Sequence, residues 1–533
     1  ILATAMGVAA LPVRCASADA FRQLLGADAV SEDLARRTLL SQDIFRAGES
    51  IAELVVTPRD IASLSRAVAE ATGRHMAVAI RGGGMSYTSG YIPGAAPTVM
   101  FDLAQMDRVL EVNANDMTVT VEAGCTWKTL YETLKPIGLR TPFWGPLSGI
   151  SSTVGGGLSQ LNAIFGAGHY GTTSESVIGV AVVLADGQVL RTGAAGVGPH
   201  PFYRHYGPDL TGLFCGDAGA FGVKAEITLR LIRTPAFEDC VSFAFAEAPA
   251  LFDAAAEITR SGITCELIGF DPALADVRIR RASILSGVLA MGAVVKGGSS
   301  LAKGVKDAFK MAVAGRSFLG QSEWSLHLVA EGRSKAAVDA DLAEVRRIAL
   351  AAGGRETEAT IPRVIRAQPF TPLNNILGPD GERWVPIHGI VALSQAEPCR
   401  QAIEALFTDL APRFEAAGVY TGMMLTTLST NAFLIEPVFF WPEARREIHE
   451  ATVEGGMLAK LRKHDANPAA TALVAEARRS VVSVFETFGA AHFQVGRTYP
   501  WMASRDAASQ VMARALKAAV DPTGQLNPGG LGL

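Results

Sequence analysis

The sequence lacks the signatures of several common protein classes. Its 48 lysines and arginines are outnumbered by 52 aspartates and glutamates, so it has no basic excess of the kind that nucleic-acid binding requires. Its six cysteines, at positions 15, 125, 215, 240, 265 and 399, form no Cys-x-x-Cys pair, and neither a zinc motif nor a disulfide framework is indicated. No strand–Gly-x-Gly-x-x-Gly–helix unit with an acidic residue about twenty positions further on is present, so a Rossmann-type nicotinamide domain is not expected.

The composition is that of a globular protein of the α+β class. The chain has 533 residues, 49% of them hydrophobic and 19% charged, which is enough for two or more domains with their own cores. Pro58 and Asp60 predict the first turn of a helix. An Asp186-Gly187 turn predicts a hairpin between two strands. Further strands are predicted at 77–80, 98–101, 109–112, 118–121 and 177–184.

The texture of the sequence changes near Pro235. Amphipathic helices and β-like runs such as 324–330 and 385–393 indicate a second domain that extends to about residue 487. The apolar stretch 284–295 is too short to span a bilayer and is followed by several lysines. It predicts either a helix that docks on a membrane surface or a partner, or a core helix with a solvated lysine face.

The first eighteen residues are apolar and rich in small side chains. They end in Ala16-Ser17-Ala18, which is similar to a signal-peptidase site and predicts a mature start at Asp19. The alternative is an ordinary N-terminal helix. Export would place the protein in a bacterial periplasm.

Two glycine clusters are the most informative local feature. Arg81-Gly82-Gly83-Gly84-Met85-Ser86-Tyr87 follows the apolar run 76–80, which is typical of a buried strand. Gly155-Gly156-Gly157 lies between Pro146 and His169-Tyr170-Gly171. Glycines after a strand let backbone N–H groups approach an anion closely. Either cluster alone is typical of a plain turn, whereas two such loops at one site favour a pyrophosphate and hence a dinucleotide.

Further motifs follow the first glycine cluster in a fixed order along the chain. The series is 81–87, Phe101-Asp102-Leu103, Val121-Glu122-Ala123-Gly124, Gly155-Gly156-Gly157, Tyr170-Gly171, 182–187, Asp209-Leu210 and Gly219-Ala220-Phe221-Gly222-Val223. This order resembles the FAD-binding domain of the vanillyl-alcohol oxidase / p-cresol methylhydroxylase family (PCMH-type). The tail Leu526-Asn527-Pro528-Gly529 is also similar to that family's C-terminal ending.

The resemblance implies a fold and a chemistry. The FAD-binding domain would comprise residues 19–238 and 488–533, with 1–18 a leader and 239–487 an α+β cap over the flavin. The reaction would transfer a hydride from substrate carbon to FAD, which is then reoxidised by oxygen or an electron carrier. An exported enzyme would favour a cytochrome c or a quinone as acceptor.

The same resemblance implies a set of cofactor-binding residues. These are Arg81, Gly82, Gly83, Gly84, Met85, Ser86, Tyr87, Pro146, Ser151, Ser152, Thr153, Gly155, Gly156, Gly157, Ser159, His169, Tyr170, Gly171, Gly219, Gly222, Val223 and Asn527.

Two departures from the family pattern predict that FAD is bound non-covalently. Many relatives carry a histidine at the position of Met85, and some link it to the flavin, which a methionine cannot do. Asn374 stands where p-cresol methylhydroxylase has its linking tyrosine. His169 and His388 remain alternative attachment points.

The candidate catalytic residues are Tyr87, His388, His492, Arg497 and Tyr499. Tyr87 matches a phenolate-binding tyrosine of the family, but Phe493-Gln494 replaces the second Tyr-Arg pair. The stretch that contains Arg497 and Tyr499 is more similar to flavin-linked 2-hydroxy-acid dehydrogenases, where an arginine could grip a carboxylate. His388 and His492 are candidate general bases. The remaining histidines are dispersed, so no metal site is predicted.

These residues predict oxidation of an aromatic alcohol or an alkylphenol-like side chain. The alternatives are a dehydrogenase of 2-hydroxy acids such as D-lactate or glycolate, a non-catalytic flavin-binding subunit, and a reductase fed by NADPH. We also expect a small-molecule substrate, peripheral contact with a membrane and assembly into a homodimer.

Overall fold

The computed structural model describes residues 18–278, 280 and 323–533. Residues 1–17 of the predicted leader 1–18, among them Cys15, lie outside the described residues. So do the apolar stretch 284–295 and the lysines that follow it.

The first sheet contains, as an edge strand, the strand that the first glycine cluster follows. Its order is β1-β2-β4-β3, and β2, β4 and β3 run parallel. The predicted helix is confirmed as α3 (Ile61–Gly73), but it begins after Pro58 and Asp60 and not with them. Asp60 is its cap: the carboxylate accepts the Ser63 N–H, and the Ser63 hydroxyl accepts the Asp60 N–H. The strands are β1 (Val30–Ser31), β2 (Leu54–Val56), β3 (Ala77–Arg81) and β4 (Thr98–Asp102).

The second sheet is antiparallel, with the order β5-β6-β10-β8-β9. The Asp186-Gly187 hairpin is present between β8 and β9, as predicted. A short pair, β7 with β11, lies outside this sheet. The strands are β5 (Val109–Asn113), β6 (Thr118–Glu122), β7 (Leu139–Arg140), β8 (Val177–Val183), β9 (Val189–Arg191), β10 (Val223–Arg230) and β11 (Ile232–Arg233).

The middle of the chain forms a large antiparallel sheet with the order β15-β12-β14-β13-β18-β19-β16, and β17 also pairs with β19. The β-like run predicted over 385–393 is confirmed as β-structure, but it is not continuous. The run divides into β16 and β17, and the buried Ile387-His388 lies between them. The strands are β12 (Phe237–Phe245), β13 (Glu266–Phe270), β14 (Trp324–Gly332), β15 (Arg355–Thr357), β16 (Arg383–Pro386), β17 (Gly389–Ala392), β18 (Tyr420–Leu428) and β19 (Ala432–Trp441).

Helices cover one face of this third sheet, and α7, α8, α10 and α13 pack against its strands. No helix among the described residues is both long and apolar enough to cross a bilayer. The helices are α1 (Ala18–Leu25), α2 (Leu34–Leu40), α3 (Ile61–Gly73), α4 (Trp127–Leu134), α5 (Val154–Gln160), α6 (Ala167–Tyr170), α7 (Ala248–Ser261), α8 (Lys335–Ala351), α9 (Thr360–Ala367), α10 (Ala396–Ala417), α11 (Glu447–Thr452), α12 (Gly455–Leu458), α13 (Pro468–Thr487) and α14 (Ala507–Val520). Residues 272–278 are helical as well.

Two long-range connections hold the parts of the chain together. After α14 the tail returns to the first sheet, where Leu526 forms a parallel bridge with Val78 at the free edge of β3. A buried ion-pair cluster joins β7 to the third sheet, because the Arg140 guanidinium contacts Glu331 of β14 and Glu331 in turn contacts Arg366 of α9. Arg366 also pairs with Glu266 of β13 at 2.9 Å.

Candidate functional site

A cleft of about 1610 Å³, counted with the space that opens to solvent, lies between the glycine loops and the third sheet. Both glycine clusters line it, which confirms that the fold brings them to one place. Its walls also include Ala218, Gly219 and Gly222 from the end of the second sheet. The predicted cofactor residues that line it are Gly82, Gly83, Gly84, Met85, Ser86, Tyr87, Pro146, Ser152, Thr153, Gly155, Gly156, Gly157, Ser159, Gly219 and Gly222.

The two glycine loops touch through bare backbone. A Cβ built on Gly83 would lie 1.8 Å from the carbonyl oxygen of Ser151, and one on Gly82 would lie 2.4 Å from the Thr153 hydroxyl. Gly84 has a φ of +71°, a conformation that favours glycine. A side chain at these positions would push the loops apart, so this cradle is shaped for an anion such as a pyrophosphate that approaches the backbone closely.

The second glycine cluster is held in place by the helix cap at Thr153 and by packing against the end of β6. The Thr153 hydroxyl accepts the Gly156 N–H at 3.1 Å and begins α5. A Cβ on Gly155 would lie 2.6 Å from that of Ala123, just after β6. Gly155 is therefore needed for α5 to pack on the second sheet.

The third wall segment is fixed by an ion pair. The buried Asp217 carboxylate pairs with Lys224 of β10 and accepts the Gly219 N–H at 3.0 Å. Lys224 also lines the cleft. Val223, predicted to contact the cofactor, is buried in β10 and does not line the cleft.

The cap end of the cleft contains two charged residues that the sequence analysis missed. Glu436 of β19 and Arg278 from the helical stretch 272–278 both line the cleft, next to Met424 and Thr426 of β18. Burial raises the pKa of Glu436 to about 8, although the charge of Arg278 opposes the shift. Burial lowers the pKa of Arg278 to about 10, against the influence of Glu436. The guanidinium therefore stays charged at neutral pH.

Arg278 and Glu436 influence each other but do not form an ion pair within 4 Å among the described residues. The Arg278 guanidinium lies 4.1 Å from the centre of the Phe270 ring, and one of its nitrogens lies 3.9 Å from the Met424 sulfur. Its Nε is buried without a hydrogen-bond partner. This end of the cleft thus offers an anion a charged planar donor that the described side chains do not saturate.

Tyr87 lies in the cleft wall as a neutral phenol. Its hydroxyl accepts a hydrogen bond from Gln494 Nε2 at 3.0 Å, and its ring meets the edges of Trp384 and His388 at centroid distances of 5.9 Å. Burial, assisted by the nearby Glu436, raises the pKa of Tyr87 well above its ordinary value. Gln494, unlike an arginine, brings no charge that would favour a phenolate.

His388, His492 and Tyr499 form a stack behind the cleft wall and do not line it. The Tyr499 hydroxyl accepts the His388 backbone N–H at 2.9 Å and lies 3.0 Å from His388 Nδ1. The imidazole is neutral, and the direction of the hydrogen bond between its Nδ1 and this hydroxyl depends on the tautomer. Burial lowers the pKa of His388 well below its ordinary value. The general-base prediction for His388 is corrected, because Nδ1 is occupied and Nε2 is buried without a partner.

His492 and Tyr499 likewise have structural partners. The Nδ1 of His492 lies 3.0 Å from the His388 carbonyl oxygen, and its ring stacks on Tyr499 at 4.0 Å. Burial is the main cause that lowers the pKa of His492 and raises that of Tyr499. Neither lines the cleft, so their predicted catalytic roles are not supported by this geometry.

Arg497 was predicted to grip a substrate carboxylate, and this prediction is wrong. Its guanidinium donates to the carbonyl oxygens of Ser89, Ile92 and Pro528 and to Asn527 Oδ1, at 2.6–3.1 Å. All of its nitrogens are engaged, and it does not line the cleft. Asn527, predicted to contact FAD, donates instead to Gly90 and Ala218 and fastens the tail.

The remaining predicted residues also lie outside the cleft wall. His169, Tyr170 and Gly171 do not line it, because α6 packs against the adjacent strands β13 and β18 and the Gly168 N–H donates to the Cys265 carbonyl oxygen. The Arg81 guanidinium lies over the Tyr91 ring at 5.8 Å. Ser151 contributes only the carbonyl that abuts the first glycine loop.

No group of three or more histidine, cysteine, aspartate or glutamate side chains suited to a metal ion occurs in the part of the chain that the structure describes.

Comparison with known proteins agrees with this geometry. Residues 52–193 match the family described as FAD binding domain. A probable mitochondrial D-lactate dehydrogenase of Danio rerio is 31% identical over 256 residues, which cover 47% of this chain and 49% of that protein. Glycolate oxidase subunit GlcD of Bacillus subtilis (strain 168) is 28% identical over 213 residues, or 40% of this chain and 44% of that protein. The chain thus matches about half the length of these relatives.

Solved structures extend the likeness to nearly the whole chain. Substrate-bound p-cresol methylhydroxylase superposes with a TM-score of 0.71 at 17% identity and covers 97% of this chain and 96% of its own. The 4-ethylphenol oxidase of Gulosibacter chungangensis gives a TM-score of 0.68 at 18% identity, with coverages of 97% and 96%. At such identities the likeness establishes the fold.

Proposed function

We infer the function from one premise: the chain belongs to the FAD-linked oxidase family and carries a PCMH-type FAD-binding domain. We propose that it is an FAD-dependent oxidoreductase that removes a hydride from a hydroxyl-bearing carbon of a small substrate. The single observation that carries the proposal is the cleft, which joins a bare-backbone anion cradle to the charged cap end.

The residues present fit FAD. Gly82 to Gly84 and Gly155 to Gly157 would hold the pyrophosphate, since both clusters line the cleft and a Cβ at Gly83 would clash with the Ser151 carbonyl oxygen and separate the loops. Bound FAD would supply the two-electron acceptor for the hydride. We propose that it is held non-covalently, because Met85 cannot form a link and neither His169 nor His388 lines the cleft.

For the substrate we propose a 2-hydroxy acid. Arg278 supports this choice, since its charged guanidinium lines the cap end and no carboxylate of the described residues lies within 4 Å of it. A bidentate guanidinium–carboxylate pair would fix such a substrate in orientation. The D-lactate dehydrogenase and glycolate oxidase names of the two relatives point the same way. The phenol-oxidising alternative has weaker support, because Gln494 and Phe493 offer no cation for a phenolate.

An aromatic alcohol remains a second candidate because Tyr87, Trp384 and Phe493 line the same cleft. These rings would also accommodate an aryl-substituted 2-hydroxy acid such as mandelate.

The test is an anaerobic titration of the FAD-loaded protein with D-lactate, glycolate, both mandelate enantiomers, benzyl alcohol and 4-ethylphenol, followed at the flavin absorbance. We expect a 2-hydroxy acid to bleach the flavin. Bleaching by benzyl alcohol or 4-ethylphenol alone would replace the hydroxy-acid proposal with the aromatic one. A protein that dithionite bleaches but no member of the panel does would contradict the proposed function.

Arg278→Met sharpens the substrate assignment. We expect it to raise the KM for the active hydroxy acid by about 10–100-fold, because a hydrogen bond to a charged group contributes about 1.5–3 kcal/mol. Arg280→Met is the matched control, since Arg280 is nearby, pairs with Asp276 and Asp380 and does not line the cleft. An unchanged KM in Arg278→Met would remove the carboxylate role.

The electron acceptor, the location and the assembly stay predictions. We propose a cytochrome c or a quinone as acceptor, a periplasmic location and a homodimer, on the sequence features given above.

A further inference from the structure

Glu436 is an unusual residue in its strand. It is the one charged side chain in β19, whose other side chains are apolar. Strand alternation places Leu434 and Glu436 on the same face, and both line the cleft. The partner strand β18 contributes Met424, which pairs with Glu436 in register, and Thr426. A single carboxyl group therefore projects from an apolar wall into the cap end of the cleft.

The other buried acids near this region are neutralised or hydrogen-bonded, and Glu436 is not. Glu266 and Glu331 pair with Arg366, and Asp43 accepts the backbone N–H groups of Phe45, Arg46 and Ser89. Glu436 is 8% exposed, and no hydrogen bond or ion pair joins it to any described residue. A buried acid without a partner costs folding free energy, which is expected where the group serves the bound ligand.

We propose that Glu436 is the catalytic proton acceptor for the substrate hydroxyl, a role that rests on the proposed function. The hydroxyl O–H bond breaks and its proton moves to the Glu436 carboxylate. The electron pair of that bond becomes the second carbon–oxygen bond. The C–H bond on the same carbon would break with both electrons leaving as hydride, for which bound FAD would be the acceptor, so a hydroxy acid would become a 2-oxo acid and the charges would balance.

Other polar groups of the cleft are less suited to this task. The Tyr87 phenol is neutral and its oxygen already accepts from Gln494. Lys224 is paired with Asp217. His388 lies behind the wall and does not line the cleft. Arg278 stays charged and is the natural partner for the carboxylate end of the substrate, which would leave the hydroxyl end for Glu436.

The proposal predicts the pH profile of flavin reduction. Since burial raises the pKa of Glu436 to about 8, the carboxylate form increases as the pH rises through 8. Three charged or titratable groups interact with Glu436. Arg278 favours the ionisation of Glu436, and Glu436 in turn opposes the ionisation of the neutral Tyr87 and Tyr499. The second-order rate constant of reduction at low substrate concentration, which reports the free enzyme, should therefore rise about tenfold per pH unit below 8 and level off above it.

The experiment compares wild type, Glu436→Gln and Glu436→Asp, all FAD-loaded, in anaerobic stopped-flow reduction by the hydroxy acid that bleaches the wild type. Glu436→Gln should reduce about 10²–10⁴-fold more slowly at pH 9, as expected for loss of a general base, and its pH profile should be flat. Glu436→Asp should retain the rise near pH 8 at a rate reduced at least about tenfold, because its carboxylate is one methylene shorter. Glu415→Gln, at an exposed position of α10, is the control for loss of a carboxylate elsewhere.

A second readout does not depend on turnover. Oxalate bound beside Glu436 adds negative charge and should raise the pKa of Glu436 further, so binding at pH 8 should take up a fraction of a proton. Calorimetry in buffers of different ionisation enthalpy measures this uptake, which should be absent in Glu436→Gln.

The outcomes separate the two proposals. A wild type that no hydroxy acid reduces would overturn the proposed function and this role with it. A wild type that is reduced, with Glu436→Gln within threefold of its rate and an unchanged pH profile, would overturn the role of Glu436 and leave the proposed function standing. If Glu436→Gln fails to retain FAD, a Glu436→Asp variant with the full wild-type rate would overturn the role in the same way.

Discussion

Substitution of Gly83 by alanine tests whether the two glycine loops support each other at the cofactor cradle. The Cβ of the new residue would lie 1.8 Å from the Ser151 carbonyl oxygen and 2.6 Å from the Ser151 carbonyl carbon. Both are backbone atoms, so no side-chain rotation can relieve the clash. Gly83 does not have a positive φ, and alanine can adopt its backbone conformation. The perturbation is therefore purely steric.

The size of the effect follows from that distance. Cβ atoms essentially never approach closer than 3.0 Å, so the loops must separate by at least about 1.2 Å. Overpacking of this kind costs about 1–3 kcal/mol. If FAD binding requires the loops to close to their wild-type separation, this cost arises on binding. The dissociation constant for FAD then rises by about 5–150-fold, since 1.4 kcal/mol is a factor of ten.

The assay is titration of apoprotein with FAD, followed by the change in flavin fluorescence. Thermal unfolding at fixed excess FAD serves as a second measure, because weaker binding lowers the ligand's contribution to stability. Gly73→Ala is the matched control: Gly73 is the last residue of α3, has no atom within 4 Å of a built Cβ, and should bind FAD normally. Gly83→Ala with the dissociation constant and melting temperature of the wild type would refute the idea that the loops are in direct contact.

Three further predictions concern residues around the cleft. Arg497→Met should lower the melting temperature by several degrees, because the loss of hydrogen bonds to buried carbonyls costs about 3 kcal/mol or more. The substrate KM of the folded fraction should stay within twofold. A large change in KM without destabilisation would restore the carboxylate role of Arg497. Glu436→Gln should melt at a higher temperature than the wild type at pH 9 and at a similar one at pH 4. The Glu436 carboxyl binds its proton more tightly in the folded state than in the unfolded state. Its contribution to the stability of the fold is therefore complete below pH 4.5 and is lost as the pH rises to about 8. Equal melting curves at pH 9 would show that the carboxyl is solvated. Tyr87→Phe should slow flavin reduction by no more than about tenfold, because it removes one neutral hydrogen bond with Gln494, and a loss of 10³-fold in stopped-flow reduction would instead make Tyr87 catalytic.

The parts of the site that the sequence predicted are those with a local signal. The strand before Arg81 has an unbroken apolar run, and the glycines that follow it need no partner from elsewhere in the chain to be recognised. The same holds for the Asp60 cap and the Asp186-Gly187 hairpin. Turn chemistry and strand periodicity depend on neighbouring residues, which is why these features were found.

The residues at the cap end depend on tertiary pairing and were missed or misassigned. Arg278 and Glu436 are distant in sequence and meet only because β13, β18 and β19 are adjacent in the third sheet. A lone glutamate in an otherwise apolar strand was an available signal for Glu436. His388 was predicted because it is a polar residue in an apolar segment, and Arg497 because its stretch is similar to 2-hydroxy-acid dehydrogenases. The structure satisfies both internally, with carbonyl groups for Arg497 and Tyr499 for His388.

The return of the tail to β3 has a consequence for synthesis on the ribosome. Val78 donates to the Gln525 carbonyl, and its own carbonyl accepts from Asn527, so the edge of β3 is completed by residues made about 450 positions later. At translation rates of about 5–20 residues per second, that edge and the neighbouring cradle wait roughly 20–90 s for their last strand partner. Through that interval the nascent first sheet presents unpaired backbone groups of the kind that invite aggregation. We therefore expect the cofactor to bind only after the tail has been made, and this edge to be the part of the nascent chain most exposed to aggregation.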